Sequence, residues 1–337
     1  MSQKYTIKDI AKLADVGTTT VSRVLNDHPY VSDEKRQRVL DAIDTLNYRQ
    51  NLSAKWLRGS STGLIGFLTD DVATTPYAVD IIRGAQDAAL ENDQVLLVVN
   101  TTKNKQSLQE AVEFLLERQV MGIIYAAMYH REVELPENIY HVPTTLANCY
   151  VADRSLPSAV PDEFIGGYRA TRLLLENGHR RIAHISVVPP AIDALKGRLA
   201  GYRQALEEFN VDFNPQLIGQ ADDEDTKSNY AMTQRFLKLD NPPTAIACAT
   251  DRTAIACYLA IMQAGLRIPE DISIVGYDNQ ADIATHLIPG LTTIQLPHYE
   301  IGRWAFHQLF EETDTPIQEK IDCALIRRDS VIPVRIT

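Results

Sequence analysis

Thr6-Ile7-Lys8-Asp9-Ile10-Ala11-Lys12-Leu13-Ala14-Asp15-Val16-Gly17-Thr18-Thr19-Thr20-Val21-Ser22-Arg23-Val24-Leu25-Asn26 carries two short helical patterns separated by a turn. Thr6 stands three residues before Asp9, the spacing of an N-cap with an acidic first turn. Ile7, Ile10, Ala11 and Leu13 supply an apolar side, and Ala14-Asp15-Val16-Gly17 breaks the helix. A second helix is expected from about Thr18 to Asn26, with Val21, Val24 and Leu25 facing inward. Residues 18, 19, 22, 23 and 26 then share the opposite face. Asn26-Asp27-His28-Pro29 ends that helix, and a third is expected from Ser32, with Val39, Leu40, Ile43 and Leu46 at helical spacing. A polar, arginine-bearing second helix in a three-helix unit is the design of a helix-turn-helix that reads the DNA major groove.

The chain has 337 residues, far more than such a head needs, so more than one domain is expected. The net charge of −11 is unevenly spread. Residues 1–60 hold ten Lys and Arg against seven Asp and Glu, a net +3, which leaves −14 for the remainder. A basic head on an acidic body suits a head that meets phosphates and a body that does not. Cys149, Cys248, Cys257 and Cys323 are widely spaced, which argues against a zinc site or disulfide framework and fits a reducing, cytoplasmic setting. Neither a signal peptide nor an apolar run of membrane-spanning length is read. The eight histidines lack metal spacing, and no G-x-S-x-G or phosphate-binding loop is present, so an enzyme is not expected, nor a cofactor or metal.

Residues 49–60, Arg49-Gln50-Asn51-Leu52-Ser53-Ala54-Lys55-Trp56-Leu57-Arg58-Gly59-Ser60, suit a two-turn helix that is too short to stand alone in water. From Leu64 onward apolar runs alternate with amphipathic helices. Leu64–Leu68, Val95–Val99, Gly122–Ala126, Arg181–Ile185, Ala245–Cys248 and Ile272–Tyr277 read as strands. Helices are read at Asp80–Glu91, Ser107–Arg118, Gly166–Asn177, Gly197–Asn210, Ser228–Lys238 and Thr253–Ala264. Continuous apolar strands alternating with helices predict parallel sheets covered on both faces, and the length suffices for two. Ligands then sit outside the carboxyl ends of the strands.

The head resembles the lactose-repressor (LacI/GalR) family of bacterial transcription regulators through Thr6–Ala11, Val16-x-x-x-Thr20-Val21-Ser22-Arg23-Val24-Leu25-Asn26, Val31-Ser32 and Leu46-Asn47-Tyr48. The resemblance continues through Glu176–Ile182, Gly197-Arg198-Leu199-Ala200-Gly201-Tyr202, Pro242–Ala245, Gly265–Asn279 and Pro289-x-Leu291-Thr292-Thr293-Ile294. It implies a multidomain chain: an all-α three-helix helix-turn-helix head over 1–49, a hinge helix over 50–60, and an α/β, two-lobed, periplasmic-binding-protein-like body over 61–337. The implied crossings give a first lobe of about 61–161 and 292–321, and a second of about 162–291 and 322–337. The family acts as homodimers on near-palindromic operator DNA under allosteric control by a small molecule.

By that resemblance Thr18, Thr19 and Arg23 read bases, and Ser22 and Asn26 contact the DNA backbone. Arginine pairs bidentately with guanine, and threonine methyls touch thymine methyls. Gly17 departs from the family's usual serine. Leu57 aligns with the family's minor-groove wedge, Ala54 with the groove floor, and Lys55 and Arg58 with phosphate contacts. Trp56 is expected to pack on the body. Arg198 and Asp278 match effector-binding positions, a guanidinium and a carboxylate able to hold sugar hydroxyls. Thr250 and Tyr77 are expected to line the same cleft, Asp70 and Asp71 to face it, and Asp251 to cap the helix at Thr253. Ala191-Ile192-Asp193-Ala194 replaces the polar segment of the purine-binding branch, so a sugar or glycoside effector is expected first and a nucleoside second. A solute-binding protein without a DNA role would need a secretion signal and no helix-turn-helix.

Overall fold

The computed structural model describes residues 5–25, 28–48, 62–70, 79–101, 105–188, 192–222 and 225–334. Asn26, the expected hinge helix with Ala54, Lys55, Trp56, Leu57 and Arg58, and the cleft candidates Asp71 and Tyr77 lie outside the described residues. The chain divides into two compact units, 1–62 and 63–337.

In the first unit, α1 (Ile7–Leu13), α2 (Thr18–Leu25) and α3 (Asp33–Leu46) enclose a core of Ile10, Ala11, Ala14, Val21, Val24, Val39 and Ala42. The Asp9 carboxylate accepts from the Thr6 amide (2.8 Å) and hydroxyl (2.7 Å), which satisfies donors at the start of α1. Asp15 takes φ +50 in the turn, and Arg38 of α3 ties the turn down by donating to the Asp15 carbonyl (3.0 Å) and carboxylate (3.1 Å). Leu40 does not join the core as its spacing predicts; it is 42 % exposed. The inward stripe of α3 runs through Val39, and one residue further turns a side chain about 100° away.

In the second unit the first lobe contains β1 (Leu64–Asp70), α4 (Val79–Glu91), β2 (Val95–Thr101), α5 (Lys105–Glu117), β3 (Ile123–Glu132), β4 (Thr144–Tyr150) and β5 (Ser158–Pro161). The second lobe contains α6 (Glu163–Glu176), β6 (Ile182–Val188), α7 (Asp193–Glu208), β7 (Ile218–Asp222), α8 (Thr226–Leu237), β8 (Ala245–Cys248), α9 (Asp251–Gln263), β9 (Ser273–Asp278), the short α10 (Ala281–Ala284) and β10 (Thr292–Gln295). The chain then returns through α11 (His298–Gln308) and β11 (Gln318–Ile321) to the first lobe and ends beside the second with β12 (Leu325–Ile326).

The strand orders are β11-β5-β4-β3-β1-β2 and β12-β10-β9-β8-β6-β7. Every pairing is parallel except β10 with β12. Except in the edge strand β2, where Val95 and Val98 stay exposed, the apolar runs are buried because helices cover both faces of each sheet: α4 and α11 on one side of the first and α5 on the other, α6 and α7 on one side of the second and α8 and α9 on the other. The α4–α11 pair approaches closely at two glycines. A Cβ on Gly84 would stand 2.0 Å from the Tyr299 carbonyl oxygen, and one on Gly302 2.1 Å from that of Ile81.

The chain passes between sheets at 161–163, 295–298 and 321–325. The second passage differs from the expected return at 292. β10 pairs with β9 (Thr292 with Val275, Ile294 with Tyr277), and the Thr293 hydroxyl donates to Asp251 at 2.6 Å, so residues 292–295 belong to the second lobe. Among the described residues no helix is long and apolar enough to cross a membrane.

Candidate functional site

The first candidate surface is α2. Val21 and Val24 are buried, while Thr18, Thr19 and Arg23 are exposed and Ser22 is half-buried. The helix starts after Gly17, whose carbonyl accepts from Thr20 (2.9 Å) and Val21 (3.2 Å) amides. Three and four residues separate neighbours on one helix face, so burying 21 and 24 in the head's core leaves 19, 22 and 23 outward, and Thr18 is exposed at the first turn. The outward set offers hydroxyls, methyls and a guanidinium, the groups that read base edges and phosphates.

The second candidate surface lies at the carboxyl ends of β8 and β9. Arg198, in α7, is buried and donates from Nε (2.8 Å) and Nη2 (3.2 Å) to the two oxygens of Glu163, the first residue of α6. Its Nη1 donates to the Ala249 carbonyl and lies 3.5 Å from the Asp278 carboxylate at the end of β9. The guanidinium stacks on the Tyr277 ring, with Cζ 3.7 Å from the centroid. Burial works against the charge on Arg198, but Glu163, with Tyr277 and Asp278 adding, outweighs it and holds the guanidinium firmly protonated. Two glycines make this packing feasible. A Cβ on Gly166 would fall 2.0 Å from the Tyr277 hydroxyl, and one on Gly167 2.2 Å from the Arg198 carbonyl oxygen.

Asp278 has φ +111, a left-handed conformation that side chains other than glycine rarely adopt. Its carboxylate accepts from Gln280 Nε2 at 3.1 Å. Thr250, expected to line the cleft, is the N-cap of α9: its hydroxyl accepts from the Thr253 amide at 3.1 Å. Asp251, expected as that cap, is instead the first helical residue, fully buried. It accepts from the Gln280 amide (2.8 Å) and the Thr293 hydroxyl (2.6 Å), and so ties α9 to the end of β9 and to β10. Burial pushes its carboxyl up to about 7 against the pull of those donors. Asp70, expected to offer a carboxylate to the cleft, is buried at the end of β1 and paired with Arg131.

The sequence reading missed Glu163 and the tyrosine beneath Arg198. A glutamate opening a helix reads as a favourable first-turn acid, and only the approach of α7 turns it into the partner of a buried arginine. The Gly166-Gly167 pair was the available signal, since adjacent glycines inside a helical pattern mark a close approach.

Residues 62–329 match the family described as periplasmic binding proteins and sugar binding domain of LacI family, and residues 6–51 match bacterial regulatory proteins, lacI family. The sucrose operon repressor of Shigella flexneri is 34 % identical over 329 residues, covering 96 % of this chain and 99 % of that one. The ribose operon repressor of Haemophilus influenzae is 32 % identical over 314 residues, 92 % of each. Among solved structures, the lac repressor dimer bound to operator and the anti-inducer ONPF aligns with a TM-score of 0.80 at 26 % identity, over 98 % of this chain and 100 % of that one. The helical head, the two parallel sheets and the buried arginine at the strand ends thus belong to a member of the LacI family, a ligand-responsive, DNA-binding transcriptional repressor.

Proposed function

We propose that this repressor binds a near-palindromic operator as a homodimer in the cytoplasm and answers to a small sugar or glycoside held at the carboxyl ends of the sheets. The exposed face of α2 carries the DNA half of this reading: Thr18, Thr19 and Arg23 contact base edges, and Ser22 and Asn26 fix register on the backbone. Leu57 enters the minor groove, with Ala54 at its floor and Lys55 on phosphate.

Arg198 and Asp278 hold ligand hydroxyls, with Thr250 and Tyr77 lining the same site. The similar sucrose and ribose operon repressors support a sugar over a nucleoside. Exposed apolar side chains support a second copy as partner: Leu90 (59 %) and Val95 (52 %) in the first lobe, Leu259 (51 %) and Met262 (62 %) on α9 in the second.

The decisive experiment selects an operator from a random DNA pool with the full-length protein and measures its binding by fluorescence anisotropy. Arg23→Ala should lose about five- to 150-fold in affinity, as expected of one guanine contact worth about 1–3 kcal/mol. Undiminished affinity would remove α2 as the reading helix. A thermal-shift screen with sucrose, ribose, glycosides and nucleosides should raise the melting temperature for one sugar class. Asp278→Asn should abolish that rise while sparing DNA binding. A monomer by light scattering would end the dimer reading.

A further inference from the structure

At the carboxyl end of the first sheet, β3 and β4 fall out of register. Ala126 pairs with Ala147 and the next pair is Arg131 with Cys149, so four residues of β3 oppose one residue of β4. That one residue, Asn148, takes φ +58, and its side-chain amide donates to the carbonyls of Ala127 and Met128, both at 3.0 Å. A bulge of this kind re-aims the strand end. Here it sets His130 edge-on against Tyr150, with ring centroids 5.9 Å apart and planes at 71°. The Arg154 guanidinium covers the Tyr150 ring, 3.4 Å from its centroid.

Tyr150 ends β4 of the first lobe, and its hydroxyl donates to the carboxylate of Asp193, the first residue of α7 in the second lobe. Asp193 is itself braced by Lys196 Nζ at 3.0 Å. The Nδ1 of His130 is buried and makes no hydrogen bond, so that ring acts as a packing wedge behind the tyrosine.

We propose that Tyr150 and Asp193 form a closure strut, which holds the two lobes together before any ligand enters and against which ligand-driven switching works. A phenol donating to a carboxylate makes a charge-assisted bond. Tyr150 is held in place by His130 and Arg154, so little side-chain freedom remains to be lost when the bond forms. The switching clause rests on the ligand-responsive reading given above; the strut itself does not. A ligand moves the lobes only by its difference in affinity between open and closed forms, and the strut sets the starting ratio.

The test places nitroxide labels on Glu113→Cys in α5 and Lys238→Cys just after α8, both exposed positions. The four native cysteines are buried, so the introduced thiols react selectively. Labelled chain is refolded with excess unlabelled chain, and inter-lobe distances are read by double electron–electron resonance without DNA or sugar. The parent should give one narrow distance. Tyr150→Phe, which keeps the ring for His130 and Arg154, should add a second population, with the closed-to-open ratio falling about tenfold. Asp193→Asn, which keeps an acceptor but loses the charge, should fall between. Identical distance distributions in the parent and Tyr150→Phe would overturn the strut, as would a lowered melting temperature with no change in distance. Because neither operator nor sugar enters the measurement, that failure leaves the repressor reading intact. Conversely, a protein that binds no sugar can still show the strut.

Discussion

Gly167 of α6 and Arg198 of α7 stand so close that a Cβ on the glycine would lie 2.2 Å from the arginine's carbonyl oxygen and 2.7 Å from its Cα. The helix backbone, not a flexible side chain, is the obstacle. Gly167→Ala should therefore push α7 away from α6 and pull the guanidinium off Glu163. The expected cost is at least the 1–3 kcal/mol of an overpacked core. Urea unfolding measures it, and a loss below about 0.5 kcal/mol would show that the helices part easily.

Glu163→Gln tests the buried ion pair directly. The glutamine keeps an acceptor but removes the charge opposite Arg198, leaving only Asp278 at 3.5 Å. Breaking one side of a buried pair costs about 3–5 kcal/mol, whereas replacing both sides with apolar groups is often neutral. Glu163→Gln should be strongly destabilised, and the double variant Glu163→Leu with Arg198→Met should recover most of the loss while remaining blind to sugar. Equal stability of single and double variants would argue against a charge-pair origin.

His184 contributes an acid-sensitive share of the body's stability. Neither ring nitrogen has a hydrogen-bond partner, and burial, with Arg198 adding, pushes the imidazole down to about 4. Below pH 6.5 the unfolded chain takes up a proton that the folded chain refuses until about pH 4. The His184 contribution to stability should thus fall by about 3 kcal/mol as pH drops through that window, while Asp251, whose carboxyl is raised to about 7 in the fold, works in the opposite direction. His184→Leu should flatten the slope in urea titrations between pH 6.5 and 4, and an unchanged slope would assign the acid sensitivity elsewhere.

Asp278 combines a strained backbone with the ligand contact proposed for it. At φ +111 a glycine is more comfortable than an aspartate. Asp278→Gly should relieve about 1 kcal/mol of strain, partly offset by the lost contacts to Arg198 and Gln280, and should abolish sugar-induced thermal shifts. A variant that is clearly less stable yet still answers sugar would reverse the assignment.

The strands most legible in the sequence are those whose burial on both faces forces an unbroken apolar run, Leu64–Leu68 and Ile272–Tyr277, whereas Val95–Val99 reads as a strand although it is an edge strand with Val95 and Val98 exposed. β4, Thr144-Thr145-Leu146-Ala147-Asn148-Cys149-Tyr150, is as buried, yet its polar groups find partners only in the fold. Thr145 donates to the Ala305 carbonyl at 2.8 Å, and Asn148 holds the β3 bulge. The sequence pattern starts two helices late for a related reason. α6 begins at Glu163 and α7 at Asp193, ahead of Gly166 and Gly197, because those glycines sit inside the helices where neighbouring chain presses close. Arg198 and Asp278 were found through family motifs. Glu163 becomes visible only when α6 packs against α7 within the second lobe, and the Tyr150–Asp193 pair only when the two lobes meet.

The head is one unbroken stretch of chain, whereas the first lobe closes its sheet with β11 at residues 318–321 and covers it with α11 at 298–308. Synthesis from the amino terminus therefore delivers the DNA-reading part long before either lobe has all its strands. A transcript cut short, or a ribosome stalled late, would release a head with no finished sensor attached to it. The order of strands in the sheets thus makes the carboxy-terminal stretch of the gene the part that converts a bare DNA-contacting fragment into a regulated one.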